Sequence, residues 1–184
     1  MYGEKDKPAN KIARIEERLL KGYSENYNIT RYHGAGGIVA EAEYHVSESG
    51  DVFFRKAQTW TADSDEYVFF VEEQRLTADI AEEYVRHAYD EGIRRIDIEN
   101  RKHHMCTRVV VVFLCNDIDE EAGRYIRKCS LRRDFCFALK GWMEVHVAAA
   151  VLGEKGDMVI CNRAAKETGK FIESVLEQHS LASV

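Results

Sequence analysis

Two Glu-x-His pairs are the residues of this sequence whose types and spacing suit metal chemistry. Glu43 and His45 form one pair, and Glu144 and His146 form the other. Side chains at positions i and i+2 of a strand point to the same side, so each glutamate is expected beside its histidine. Such nitrogen and oxygen ligands suit iron, manganese or zinc if the two strands are adjacent. The favoured interpretation is simpler, because alternating polar residues are typical of the solvated face of a half-buried strand.

Two further polar clusters are candidates for ligand binding. His103 and His104 precede a very apolar segment, and loops at such positions in α/β proteins often carry function. The second cluster is basic and consists of Arg124, Arg127, Lys128, Arg132 and Arg133. Its first three members are three or four residues apart and are expected on the outer side of a helix. The favoured interpretation is a solvated helix face, but the cluster would also suit an anionic ligand or partner.

Charge is distributed unevenly along the chain, whose formal net charge is −6. Residues 41–92 contain 14 acidic and 4 basic residues, whereas residues 94–140 contain 7 acidic and 11 basic residues. The net charge argues against nucleic-acid binding, which depends on clustered Lys and Arg. The basic segment 124–140 is the part of the chain that would carry such binding. The favoured interpretation is that the two segments pair with each other or with a second copy.

The elements that position these residues follow from periodicity and capping. Thr77 is a predicted helix N-cap, with Gly92 as the stop of that helix, and Asp63-Ser64-Asp65 is a predicted turn. The predicted elements are a helix capped by Asn10, strands at 38–46, 52–61 and 67–71, a helix at 78–91, a strand at 109–114, a helix opened by Asp117, strands at 142–152 and 158–161, and a helix capped by Asn162.

This order, α-β-β-β-α-β-α-β-β-α, predicts an α/β (α+β) protein with one mixed sheet. The apolar run 109–114 shows no alternation, which favours a central strand buried on both faces. Residues 133–139 alternate and are a candidate for an additional strand. Pro8 is the only proline and no linker composition follows it, so we expect a single domain over 10–179, a flexible tail over 1–9 and a C-terminal tail over 180–184.

The cellular compartment is predicted from what the sequence lacks. No apolar run approaches the roughly 20 residues that span a bilayer, and the N-terminus is polar and mixed in charge. The five cysteines are odd in number, contain no Cys-x-x-Cys pair and mostly lie in apolar segments. These features predict buried free thiols in a cytoplasmic protein that does not associate with membranes.

The order α-β-β-β-α-β is similar to the core of restriction-endonuclease-like nucleases. That resemblance implies an acidic residue on one strand and Asp/Glu-x-Lys on the next, since the carboxylates bind metal and the lysine helps to position water. The sequence contains no Glu-x-Lys on the candidate strands. The residues left as a substitute set are Glu41, Glu43, Lys56, Glu72 and Glu73. Charges that protect exposed sheet edges are the stronger explanation for them.

The chain also resembles a family of small uncharacterised bacterial proteins. The residues that carry the resemblance are Ala42-Glu43-Tyr44-His45-Val46, the aromatic hairpin after it, His104-Met105 and Phe137-Ala138-Leu139-Lys140-Gly141-Trp142. The resemblance extends over most of residues 12 to 175 and implies one complete domain. It implies no catalytic residues, and the Glu144-Val145-His146 segment is not among its shared features.

The leading functional hypothesis is a non-catalytic accessory or binding protein. It requires no cofactor, and it predicts a protein partner, a small ligand or self-association as a homodimer. The first alternative is a metal-dependent hydrolase or nuclease-like enzyme that uses the Glu41, Glu43 and His45 face with a divalent metal. The second is nucleic-acid binding through the basic segment 124–140, which the net charge disfavours.

Overall fold

One mixed seven-stranded β-sheet organises the chain in a computed structural model that describes residues 8–33, 37–51, 58–96, 104–137, 140–154 and 156–182. Two helices pack on each side of the sheet. The elements in chain order are α1 Pro8–Tyr23, β1 Asn28–Arg31, β2 Gly37–Asp51, β3 Gln58–Leu76, α2 Ala78–Arg95, β4 His104–Ile118, α3 Glu120–Lys128, β5 Arg132–Asp134, β6 Trp142–Gly153, β7 Gly156–Cys161 and α4 Lys166–Ala182. The predicted fold class, a single α+β domain with a mixed sheet, is confirmed.

The strands follow the order β1-β2-β3-β4-β6-β5, with β7 also paired to β6. Strands β1, β2 and β3 form an antiparallel meander. Strand β4 is parallel to both of its neighbours, β3 and β6, because α2 and then α3 connect it to them. β5 and β7 are both antiparallel to β6 and lie along different parts of the same side of it.

The apolar run on β4 is the centre of the sheet, as predicted. Val109 to Cys115 are at most 1% exposed, and their side chains alternate between two cores. The face 1 core lies under α1 and α4 and includes Val110, Val112 and Phe70. The face 2 core lies under α2 and α3 and includes Val109, Val111 and Phe113. A strand covered on both faces needs apolar residues at every position, which explains the absence of alternation.

The first hairpin is longer than its sequence predicts. The predicted turn at Asp63-Ser64-Asp65 is wrong, because β3 continues through it and pairs there with β2 and β4. The segments expected as separate strands at 52–61 and 67–71 therefore belong to one strand, apart from residues 52–57, which lie outside the described residues. The short strand β1 was not predicted, and the candidate strand at 133–139 is limited to β5.

The predicted N-cap of α2 is confirmed, whereas the predicted end of α2 and the predicted N-cap of α3 are wrong. The Thr77 hydroxyl accepts a hydrogen bond from the Ile80 backbone at 3.4 Å. Gly92 does not stop α2; a Cβ there would lie 2.5 Å from Val109 Cγ2, so the glycine lets α2 approach β4 closely. Helix α3 is capped by Asp119, whose carboxylate accepts from Ala122 N at 2.7 Å, and not by Asp117, which belongs to β4.

The terminal helices extend beyond the bounds expected for the domain. Helix α1 begins at Pro8, so Asn10 lies inside it and is not its cap; proline is well suited to a first helical position. Helix α4 continues to Ala182, past the expected end at 179. None of the helices among the described residues combines the length and apolar composition needed to cross a membrane.

The cysteines are all free thiols. Cys115 is fully buried, and burial raises the pKa of its thiol to about 12. Cys106, Cys129 and Cys161 are half-buried, whereas Cys136 is exposed in the turn after β5. The expectation of buried thiols is therefore met fully by Cys115, only in part by the three half-buried cysteines, and not by Cys136.

Candidate functional site

The carboxylates on the first hairpin are ion-paired with an arginine from α2. Arg95 Nη2 lies 2.8 Å from Glu41 Oε2, and Arg95 Nη1 lies 2.7 Å from Glu43 Oε1. The guanidinium also lies over the Tyr67 ring, 4.9 Å from its centroid. A planar guanidinium can bind two carboxylates and stack on an aromatic ring at once. Glu41 and Glu43 therefore hold the end of α2 against the hairpin in this structure.

His45 contacts a buried carboxylate beside it on the same face of the sheet. Its Nδ1 is hydrogen-bonded to Asp65, which is only 3% exposed, whereas the imidazole is more than half exposed. Asp65 is the register partner of His45 across the β2–β3 pair. The pairing explains why an aspartate of turn-forming type is tolerated inside β3, since its buried carboxyl group has a hydrogen-bond partner.

The two Glu-x-His pairs do not converge. Strands β3 and β4 lie between β2 and β6, so the pairs are about 14 Å apart at ordinary strand spacing. They are also on opposite faces. Glu43 is in register with Val145 through β3 and β4, on face 2, whereas His146 is in register with Ala42, on face 1. Glu144 Oε1 instead lies 3.0 Å from His146 Nε2.

The remaining candidates for metal or nuclease chemistry are also dispersed. Lys56, His103 and the side chain of His104 lie outside what the structure describes. Glu73 is on face 2, where it accepts a hydrogen bond from the Tyr84 hydroxyl at 3.2 Å. Across the described ranges, no group of three or more His, Cys, Asp or Glu side chains is arranged to hold a metal ion.

Glu72 lies on face 1, where it is hydrogen-bonded to Glu16 of α1. Two carboxyl groups in contact share a proton, because both cannot be charged cheaply when partly removed from water. Burial, followed by the hydrogen bond and the charge of Glu72, raises the pKa of Glu16 to about 7. Sequence reasoning about Glu72 did not connect it to α1.

The basic residues of α3 line a cavity of about 440 Å³ that we call the basic cavity. Arg127 and Lys128 come from the end of α3, and Arg132 comes from β5. Arg163, which follows β7 and was not singled out in the sequence, completes the ring of cations. Arg124 points elsewhere and lies 3.9 Å from Glu120. The structure thus brings together three of the five predicted basic residues and adds Arg163.

The basic cavity exists because β5 and β7 leave a gap along the edge of β6. Asn162, 2% exposed, fills the inner part of that gap. Its Oδ1 accepts hydrogen bonds from Val147 N and Ala165 N, at 3.1 and 2.9 Å. Its Nδ2 donates to the carbonyls of Cys129 and Val145, at 3.0 and 3.1 Å. One side chain therefore joins β6, the end of α3 and the start of α4, and fixes the floor of the cavity.

Positive charge is in excess around the basic cavity. Its one carboxylate, Glu144, is paired with His146. Arg132 is paired with Asp134 at 2.9 Å and lies over the Trp142 ring. Arg127, Lys128 and Arg163 have no carboxylate within ion-pair distance among the residues that the structure describes. Three uncompensated cations around one concave space are an arrangement that attracts an anion.

Fold and cavity together define a single-domain α+β protein with a mixed sheet, two flanking helix pairs and a basic cavity at one sheet edge. By sequence, the chain belongs to the family described as Domain of unknown function (DUF8052), whose model matches residues 12–174. This confirms the expected resemblance to an uncharacterised family; its bacterial origin and the nuclease-like similarity stay predictions. No curated protein and no solved structure matches the chain significantly.

Proposed function

We propose that this protein is a non-catalytic binding protein for a small anionic ligand, held in the basic cavity. The observation that carries the proposal is the presence of three cations, Arg127, Lys128 and Arg163, without carboxylate partners in the described chain around one cavity. Guanidinium groups bind phosphate and carboxylate groups through paired, charge-assisted hydrogen bonds. The volume, about 440 Å³, is in the range of small-molecule sites.

The lining of the basic cavity supports binding and not covalent catalysis. Cys129 and Ser130 are its nucleophilic residue types. Burial raises the pKa of the Cys129 thiol, which keeps it protonated and weakly reactive. His146 is engaged with Glu144 and is not among the residues that line the cavity.

Calorimetric titration with inorganic pyrophosphate tests the proposal. Saturable binding is expected, and Arg127→Ala or Arg163→Ala should each weaken it roughly 10- to 100-fold, the effect of losing hydrogen bonds to a charged group. Arg124→Ala is the matched control, since Arg124 is an exposed base of the same helix that does not line the cavity. Its affinity should equal that of the wild type.

Two results would contradict the proposal. One is the absence of saturable binding at low salt. The other is an equal loss in Arg124→Ala and Arg127→Ala, which would indicate a diffuse basic surface. That second outcome, together with tight binding of an oligonucleotide, would favour nucleic-acid binding through the exposed segment 124–140. The expected cytoplasmic location and self-association stay predictions.

A further inference from the structure

A second cavity, of about 280 Å³, lies between the end of α1, β3 and the start of α4. We call it the aromatic cavity, because Tyr23, Tyr27 and Phe171 line it. It lies on face 1, whereas the basic cavity lies at the β5–β7 edge. None of its residues belongs to the lining of the basic cavity.

The ring of Tyr23 is nearly perpendicular to each of the other two rings. The Tyr23 ring centroid is 4.9 Å from that of Tyr27 and 5.6 Å from that of Phe171, and both interplanar angles are 81°. In such edge-to-face pairs the positive edge of one ring lies against the electron-rich face of the other. Gly22 makes this packing possible, since a Cβ at that position would lie 2.6 Å from Phe171 Cζ.

A nearly buried carboxylate lies among these rings. Glu66 lines the aromatic cavity and its side chain is 12% exposed. Its Oε1 accepts a hydrogen bond from the Tyr27 hydroxyl at 3.0 Å. Its Oε2 lies 3.0 Å from Nε of Arg108, whose own side chain is 44% exposed. The carboxylate is thus held beside the cavity, with the more exposed Arg108 as its ion-pair partner.

Tyr23 is the most buried of the three aromatic residues that line the aromatic cavity. The residue is 9% exposed, yet its hydroxyl makes no hydrogen bond within the described part of the chain. Burial, and then the charge of Glu66, raise the pKa of Tyr23, so its hydroxyl stays protonated. The hydroxyl oxygen itself remains accessible to water, so it can bond to water or to a ligand in the cavity.

We propose that the aromatic cavity binds a small organic ammonium ion, with its methyl or methylene groups against the three rings and its charge beside Glu66. Ring faces attract a cation through their quadrupoles, and cages of aromatic side chains bind alkylated ammonium groups. A hydrated inorganic cation would gain less, because it would have to give up water for ring carbons. The volume of about 280 Å³ admits an ion of the size of tetramethylammonium.

Titration of the full chain with tetramethylammonium chloride, followed by tyrosine ring resonances and saturation transfer to the methyl protons, tests this inference. Saturable binding is expected, and tert-butanol, which is neutral and similar in shape, should not bind. Phe171→Leu should weaken binding roughly 3- to 30-fold, the range of one cation–π contact. Glu66→Gln should weaken it roughly tenfold through loss of the carboxylate charge.

Glu73→Gln is the matched control for Glu66→Gln. Glu73 also accepts a hydrogen bond from a tyrosine hydroxyl, that of Tyr84, but on the opposite face of the sheet. The Glu73→Gln variant should bind tetramethylammonium with the same affinity as the wild type. Because Phe171→Leu could also loosen the core, Glu66→Gln decides the matter if the leucine variant unfolds. Equal binding of tert-butanol, no saturable binding of the ion, or unchanged affinity in Glu66→Gln would overturn the inference.

Discussion

Replacement of Glu16 by glutamine is expected to remove a pH dependence of stability that the Glu16–Glu72 pair creates. The pKa of Glu16 is raised from 4.5 to about 7. The native protein therefore keeps this proton at pH values where the unfolded chain has lost it. The stabilising contribution is complete below about pH 4.5 and is lost as the pH rises through about 7.

The size of the effect follows from the same shift. A rise from 4.5 to about 7 sets an upper limit of ~3 kcal/mol. Both carboxyls are half-buried, and screening by water reduces the expected loss to ~1–2 kcal/mol. A glutamine at position 16 can donate to Glu72 at every pH. Glu16→Gln should match the wild type at about pH 5 and exceed it in stability by ~1–2 kcal/mol at about pH 8.

Urea unfolding followed by circular dichroism at several pH values between 5 and 8 measures this difference. The control is Glu17→Gln, which changes the adjacent carboxylate, an exposed group whose pKa is lowered by its pairing with Arg31. That variant should keep the downward slope of the wild type across this window. The reasoning is refuted if Glu16→Gln shows the same slope as the wild type, or if the wild type shows none.

Two further predictions concern the packing of helices on the sheet and the floor of the basic cavity. Gly92→Ala should destabilise the protein by ~1–3 kcal/mol in urea unfolding, since its Cβ would overlap Val109. Gly123→Ala is the control, because the nearest atom to a Cβ there is 3.4 Å away. That variant should be neutral or more stable by up to ~1 kcal/mol. Asn162→Ala should cost ~2–4 kcal/mol, because buried N–H and carbonyl groups lose their partner. A change within ~0.5 kcal/mol would contradict that bridging role.

The fold was predictable wherever a local sequence pattern is compatible with only one structure. The valine run on β4 and the Thr77 cap are of this kind, because burial on both faces and an orphan helix N–H each require particular residue types. Gly92 was misassigned because glycine serves both to end a helix and to let a helix approach a strand. The choice between the two depends on Val109, which is distant in sequence.

The candidate sites were less predictable, since each depends on contacts between distant segments. Arg127 and Lys128 were found by helical spacing, but Arg163 reaches them only because the β6–β7 hairpin returns the chain to the same sheet edge. No local pattern marks Arg163 as part of a site. The two Glu-x-His pairs suggested a shared site that the structure does not form. Strand order and sheet face separate the two pairs, and residue spacing alone does not determine either of them.

The placement of the four helices has a consequence for the order in which the two cores assemble. Helices α2 and α3 follow directly on strands of the core that they cover, so the face 2 core can close through short-range crossovers. Helices α1 and α4 share the face 1 core from opposite ends of the described chain. Closing such a long loop is slow, so the part of α1 that packs against α4 should stay uncovered until α4 has been synthesised, whereas its contacts with the sheet can form earlier.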